Sequence, residues 1–280
     1  IREIFMTTFA NIFNNNKIQF AHTKSMNASE KFQIHCHSIF EIYYFIEGDV
    51  DYLVEGKLYH PTPHSLLLLS PHVFHGVRVN SAEPYSRFAL HFNPDLVNVE
   101  RRHLLLSAFP NNEKYSHKEV FYENTDDFRL YPFFESIVDC IKQPSTLCEQ
   151  LFPIYLEALL AQLTIMCRTL RPTQIDGNVS NTITDIITFL NEHLTEVISL
   201  NMLSEQFFIS KHYLNRAFRK ATGTTLGDYL IYKRVIFAQQ LLMNGSSASD
   251  AAAMSGFHDY SAFYRAYNRI TGHAPSKDLL

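Results

Sequence analysis

The eight residues Arg216-Ala-Phe-Arg-Lys-Ala-Thr-Gly223 recur 49 positions later as Arg265-Ala-Tyr-Asn-Arg-Ile-Thr-Gly272. Extended backwards, the match pairs Phe208 with Phe257, Ser210 with Asp259 and Leu214 with Phe263. Ser210 and Asp259 carry side-chain oxygens suited to a helix N-cap, and Gly223 and Gly272 suit the left-handed residue that ends a helix. A shorter helix is predicted ahead of each: Leu200 to Phe207, and Ala248 to Ser255, where Ser247-x-x-Asp250 reads as a capping box. Two helices joined by a short turn, made twice and joined by a helix from Leu226 to Met243, are two helix-turn-helix units. That duplication leaves few folds open to the last third of the chain.

The second helix of each unit has a distinctive outer face. In the first, Tyr213, Leu214, Ala217 and Phe218 form the inward stripe, and His212, Asn215, Arg216 and Arg219 the opposite one. In the second, Phe263, Ala266, Tyr267 and Ile270 point in, and Ser261, Tyr264, Arg265 and Asn268 point out. Planar hydrogen-bonding groups and arginine are the side chains that read base edges in a major groove. From Ser210 to Gly223 there are four basic residues, Lys211, Arg216, Arg219 and Lys220, and no acid; Arg265 and Arg269 stand in an equally acid-free second helix. A polyanionic partner requires such faces. The net charge of −4 argues against a generic nucleic-acid binder. From Asp176 on, nine basic residues balance nine acidic ones, so the negative excess lies in the N-terminal part. One such helix alone would read as an ordinary surface helix; two with matched faces do not.

The pattern Ile209-Ser-x-x-Tyr-Leu-x-Arg-x-Phe-Arg-Lys-x-x-Gly223, followed by Tyr229-Leu and Arg234-x-x-x-Ala238-x-x-Leu-Leu242, resembles the AraC-type (AraC/XylS) transcriptional regulators. So does Gly256-Phe-x-Asp-x-Ser-x-Phe-x-Arg265, running on to Pro275-Ser276. The resemblance implies two units reading successive major grooves of promoter DNA. It places base contacts at His212, Asn215 and Arg216 in the first unit and at Tyr260, Ser261 and Arg265 in the second. With the neighbours on the same faces, the expected DNA-contacting set is Lys211, His212, Asn215, Arg216, Arg219, Tyr260, Ser261, Tyr264, Arg265 and Asn268. Three positions depart from the family pattern. Ser204 replaces an alanine, Ala252 a larger aliphatic, and Tyr267-Asn268 a Phe-Lys pair, which suggests a weaker grip by the second unit.

The N-terminal part reads as short strands: Phe40 to Phe45, Val50 to Val54, His64 to Leu69, Phe74 to Val79 and Tyr85 to Phe92, separated by Gly, Pro, Asn and Asp turns. Close, regular spacing of such strands suggests an antiparallel sandwich or barrel. Helical periodicity follows: Phe128, Tyr131, Phe134, Ile137 and Ile141, then Leu156, Leu159, Leu160, Leu163 and Cys167. The second stripe, with Leu170, packs either on its own chain or on a partner. The family resemblance implies a homodimer formed through this region. A polar Pro- and Gly-containing stretch separates the helices from the helix-turn-helix part. The expected division is 1–170 for an effector-binding and dimerisation domain, 171–179 for a linker, and 180–280 for the DNA-binding domain. The fold class is then two-domain α+β, with an N-terminal antiparallel cupin-like β-barrel and following helices, and a C-terminal all-α domain.

Within the barrel segment, His35-x-His37-x3-Glu41 with a later His75 resembles the metal-binding motif of cupins. In a strand His35 and His37 project to one face, and imidazoles with a carboxylate suit Zn, Ni, Fe or Mn. Pro61-Thr-Pro63-His64 departs from the family's Pro-x-Gly, whereas Pro71-x-x-x-His75 is kept. The same four residues serve equally as hydrogen-bond partners of an organic effector, so no cofactor follows from them alone. His64, His72 and His91 read as ordinary histidines, with His64 or His91 as a further lining residue. Tyr43, Phe45, Tyr52 and Tyr59 read as barrel core or as rings lining an effector site, for which a carbohydrate is the attractive guess.

Two function classes therefore compete. One is an effector-responsive transcription regulator with no enzymatic activity, acting on double-stranded promoter DNA and, if it activates, on RNA polymerase. The other is a cupin metalloenzyme (dioxygenase, isomerase or epimerase) or a metal sensor built on His35, His37, Glu41 and His75; the enzyme leaves the repeat unexplained. With 46% hydrophobic and 19% charged residues the chain has ample core. The longest apolar run, Phe152 to Cys167, is interrupted by Glu157 and Gln162 and is not expected to cross a bilayer; Ile1-Arg2-Glu3 opens no signal peptide. Cys36, Cys140, Cys148 and Cys167 form no CxxC pair, so free thiols and a cytoplasmic location are expected.

Overall fold

A computed structural model describes residues 7–15, 17–26, 28–29, 32–110, 120–171 and 181–279. The chain divides into two compact units, residues 1–54 with 58–177 and residues 55–57 with 178–280. Of the expected linker, residues 172–179 lie outside the described residues.

In the first unit the strands do not close into a barrel. They form two sheets, a six-stranded one ordered β1-β2-β8-β3-β6-β9 and a three-stranded one ordered β5-β4-β7. The strands are β1 (Thr7–Asn14), β2 (Ile18–Ser25), β3 (Phe40–Glu47), β4 (Val50–Val54), β5 (Lys57–Tyr59), β6 (Leu66–Leu69), β7 (His75–Val79), β8 (Tyr85–Phe92) and β9 (Phe121–Tyr122). Alternation along β3 and β8 sorts the larger sheet into two faces. Tyr43, Phe45 and Tyr85 turn towards the smaller sheet and join Val50, Tyr52, Val54, Tyr59 and Val79 in one buried cluster. Ile42, Tyr44, Phe88, Leu90 and Phe92 turn the other way, onto helices. The aromatic rings of the first cluster therefore pack on one another, with Tyr43 and Tyr52 centroids 4.6 Å apart.

The helices of this unit are α1 (Val99–Leu105), α2 (Tyr131–Ile141) and α3 (Ser145–Thr169). Phe134, Ile137, Leu156, Leu159, Leu160 and Leu163 are fully buried against the sheet, so the stripe predicted for either fate packs on its own chain. By length and composition alone α3 is long and apolar enough to cross a membrane. Its buried face is instead core of this unit. Cys140 and Cys148 are free, with sulfurs 3.9 Å apart across the α2–α3 connection.

The second unit contains α4 (Asn181–Glu192), α5 (Leu200–Gln206), α6 (Lys211–Thr222), α7 (Leu226–Met243), α8 (Ala248–Met254) and α9 (Tyr260–Thr271). Each predicted cap is used. Ser210 Oγ accepts from the Tyr213 N–H, Ser247 Oγ from Asp250, and Asp259 from Ser261 and Ala262, each removing an orphan amide at a helix start. Gly223 and Gly272 close α6 and α9 in the left-handed region at φ 72° and 79°. Leu214 and Phe218 of α6, and Phe263 and Tyr267 of α9, are fully buried. Arg234 of α7 donates to the carbonyls of Leu194 and Glu196, at 2.8 and 2.6 Å, which pins the α4–α5 connection.

The structure corrects the alignment of the repeat ahead of the caps. Ile209 N–H reaches Ser204 O and Phe257 N–H reaches Ala252 O, at 3.1 and 3.0 Å. Phe208 thus stands where Gly256 stands, not Phe257, and the second turn holds one more residue before its cap.

Candidate DNA interface and histidine–glutamate centre

On α6, Lys211, His212, Asn215, Arg216 and Arg219 are all exposed, as are Tyr260, Ser261, Tyr264 and Arg265 on α9. Among the described residues, the side chains of His212, Asn215, Arg216 and Arg265 make no hydrogen bond or ion pair within the protein. Donor-rich groups are therefore presented to solvent on two capped, rigid helices. Two residues differ from expectation. Tyr213, assigned to the inward stripe, is 38% exposed on the flank of α6, because its angular position lies nearer Arg216 than Leu214. Asn268 is half-buried, and its amide donates to the Tyr264 carbonyl at 3.2 Å, so it belongs to its own helix as much as to the outer face.

In the first unit, His35, His37, Glu41 and His75 bring one donor atom each to within 4.8 Å of one another. The predicted strand is absent: His35 and His37 lie in irregular backbone, and only His35 is bridged, to His75 of β7. That bridge is possible because of Gly76. A Cβ there would fall 2.6 Å from the Gln33 carbonyl oxygen, so glycine alone lets the 33–35 segment lie across β7. Glu41 enters from β3, and the antiparallel register sets it opposite His91 of β8. The result is a buried carboxylate, 4% exposed, whose Oε2 faces the Nε2 atoms of His37, His75 and His91 at 3.1, 2.9 and 3.3 Å. Tyr52 donates to its other oxygen at 3.2 Å. His91, read from the sequence as an ordinary histidine or a further lining residue, is part of this centre. Its position follows from strand register, which one strand's sequence does not display. His64 turns to Tyr44 on the helix side of the sheet and plays no part.

The ring orientations decide what the centre can hold. His35, His37 and His75 each place Nδ1 2.8–2.9 Å from a backbone carbonyl, of Gln33, Ile39 and Val73. A carbonyl only accepts, so each Nδ1 carries the proton. In the neutral rings the Nε2 lone pairs therefore point into the cluster, towards a carboxylate that also offers lone pairs. Such a convergence is stable when the imidazoles are protonated or when a cation lies among them. Backbone-anchored Nδ1–H groups are the usual outer-shell support of metal-binding histidines. Desolvation by burial raises the Glu41 pKa, but His75 and the hydrogen bonds from His37, His75 and His91 outweigh it and hold the carboxyl well below its usual range. Burial pushes the His35 imidazole down, which favours its neutral, ligating form.

Residues 18–163 match the family described as the AraC-like ligand binding domain, and residues 203–279 match a helix-turn-helix domain family. An uncharacterized HTH-type transcriptional regulator of Bacillus subtilis, YbfI, is 26% identical over 235 residues, covering 83% of this chain and 81% of its own. The regulatory protein SoxS of Escherichia coli K12 is 30% identical over 95 residues, 34% of this chain and 89% of SoxS. Among solved structures, an apo form of a ToxT point variant from Vibrio cholerae aligns over 94% of this chain and 97% of its own, at 16% identity and a TM-score of 0.39.

Proposed function

The chain belongs to the AraC-type transcriptional regulators, and we propose that residues 180–280 read promoter DNA while residues 1–170 bind the small molecule that controls the reading. The observation that carries this reading is the pair of capped helices, α6 and α9, whose exposed faces hold Asn, His, Ser, Tyr and Arg and no acid. The role is regulatory rather than catalytic, in the cytoplasm, with RNA polymerase as a further partner if the chain activates. Mobility shift against the DNA upstream of its own gene, across a salt series with random competitor, tests it. Specific, strongly salt-dependent retention is expected; no retention at low salt overturns it.

The ligand side supports a divalent cation. His35, His37, Glu41 and His75 suit such an ion: a tetrahedral site with bonds near 2.1 Å separates its donors by about 3.4 Å, and here one donor atom of each lies within 4.8 Å of the others, the two imidazole–carboxylate contacts among them at 2.9 and 3.1 Å. His91 supplies a fifth donor. The ion would fix the ring positions and present an electrophilic point to a polar effector such as a sugar. Purified without an affinity tag, the chain is expected to hold Zn, Ni, Fe or Mn at about one ion per chain and to lose it on His75→Ala. Protein that takes up none of the four from solution sinks the metal reading and leaves an organic effector alone.

A homodimer has support from α3. Opposite its buried face run Leu147, Leu151, Ile154, Ala158, Ala161 and Ile165, spaced by alternating fours and threes, with Leu147, Ile154 and Ile165 at 42%, 63% and 56% exposure. Reversed about Leu156 the stripe maps onto itself, setting Leu147 against Ile165, Leu151 against Ala161 and Ile154 against Ala158. Two of these pairs set a large side chain against an alanine, and Leu147 and Ile165 close the two ends, an arrangement compatible with a two-fold helix pair. Val99 of α1, 75% exposed, borders the same surface beside an open groove of about 440 Å3 that includes Ile154.

A further inference from the structure

The turn between α5 and α6 holds a residue that the fold does not ask for. Phe208 has φ 54° and is 93% exposed, the greatest exposure of any large apolar side chain among the described residues. Its counterpart in the second unit is Gly256, at φ 85°, where a Cβ would fall 2.9 Å from the Thr195 carbonyl oxygen. The flanking hydrogen bonds are the same in both turns, from Ile209 to Ser204 and from Phe257 to Ala252. The backbone thus requires a left-handed residue in each turn, and glycine meets that need without strain. A phenylalanine there is disfavoured twice, by its backbone and by a ring left in water. No contact among the described residues recovers either cost.

The position indicates what covers the ring. Phe208 lies two residues before Ser210, the N-cap of α6, and in a helix-turn-helix unit the N-terminal residues of the second helix are the ones brought to base edges. Lys211 and His212 follow, both exposed, and no acidic residue occurs between Gln206 and Gly227. We propose that Phe208 is a base-discriminating residue of the first unit, its ring packing on the C5-methyl of a thymine at the edge of the half-site. The contact is one that an aromatic ring makes in a major groove and a polar side chain does not. It adds specificity on the unit that the family pattern already marks as the stronger-gripping one. The inference rests on the DNA-reading assignment above.

The test uses the full chain and a duplex selected by it from a random library. Phe208→Gly is expected to melt no lower than the parent, since it removes backbone strain, and to lose about tenfold in affinity for the selected duplex while holding random duplex as before. Phe208→Asn, whose side chain also tolerates positive φ, is expected to behave alike. Replacing thymines one at a time by deoxyuridine is expected to reveal one position where the parent loses affinity and Phe208→Gly loses no more. Binding of the selected duplex within twofold of the parent overturns the proposal, as does equal loss on selected and random DNA, or a parent indifferent to every deoxyuridine. A lowered melting temperature in both variants makes the ring structural. Normal DNA binding with lost promoter response assigns it to a protein partner instead. A parent chain that retains no duplex at all defeats the DNA-reading assignment, and this inference with it.

Discussion

Single residues carry both halves of the proposed function. Arg216 and Arg265 stand at equivalent positions of α6 and α9, exposed and without a partner acid among the described residues. Alanine at either is expected to weaken specific binding by about 1–3 kcal/mol and to relax preference at one base position. Measured by competition with single-base variants of the site, equal loss on specific and random DNA would reassign both to phosphate contact. Gly76 carries the other half. The nearest atoms to its absent Cβ are backbone, the Gln33 carbonyl at 2.6 and 2.8 Å, and cannot step aside as a flexible side chain does. Gly76→Ala is therefore expected to open the His35–His75 bridge and to cut metal uptake by about 10–100-fold, as loss of outer-shell support does. Unchanged uptake by isothermal titration would show that the bridge does not position the ligands.

At the scale of elements, legibility follows periodicity and caps. The helices α5 to α9 are legible to within a residue because Ser210, Gly223, Ser247, Asp259 and Gly272 mark their ends and Leu214, Phe218, Phe263 and Tyr267 their inner faces. β1 and β2 are not: Asn11 and Asn14 interrupt the first, and Gln19, His22 and Lys24 leave the second without an apolar run. The histidine–glutamate centre is legible as four residues but not as five, since His91 joins through the β3–β8 register. On α3 the sequence reading offers one apolar stripe, Leu156 to Cys167, for either fate; packing puts it in the core and leaves Leu147, Ile154 and Ile165 outside. The stripe that remains exposed gives a direct test. Ile154→Glu places two like charges near the two-fold axis of the proposed pair, where they repel and are stripped of water. Sedimentation equilibrium is expected to give a monomer for this variant and a dimer for the parent. A parent that is itself monomeric at micromolar concentration, or a variant that still dimerises, excludes this seam.

At the scale of the whole molecule, each unit has a core of its own. In the second unit Val235, Ala238 and Leu242 of α7 close a core with Ala251, Ala252, Phe263 and Tyr267, so the reading helices have packing of their own. In the first, the two sheets and α2–α3 share buried clusters of their own. An effector can change DNA occupancy only through different affinities for two dispositions of the chain. That requirement yields opposite expectations for the intact protein and for residues 180–280 alone. The fragment should bind the selected duplex with the parent's base preference, because the faces of α6 and α9 are intact. It should bind more weakly, because each molecule then engages a single half-site rather than two held at high effective concentration. Added divalent metal or candidate sugars should leave its affinity unchanged while shifting that of the full chain. Fluorescence anisotropy on one labelled duplex reads all three quantities. A folded fragment with no preference for the selected duplex would place part of the reading surface in the first unit, and a fragment that still answers to the effector would move the control site out of it.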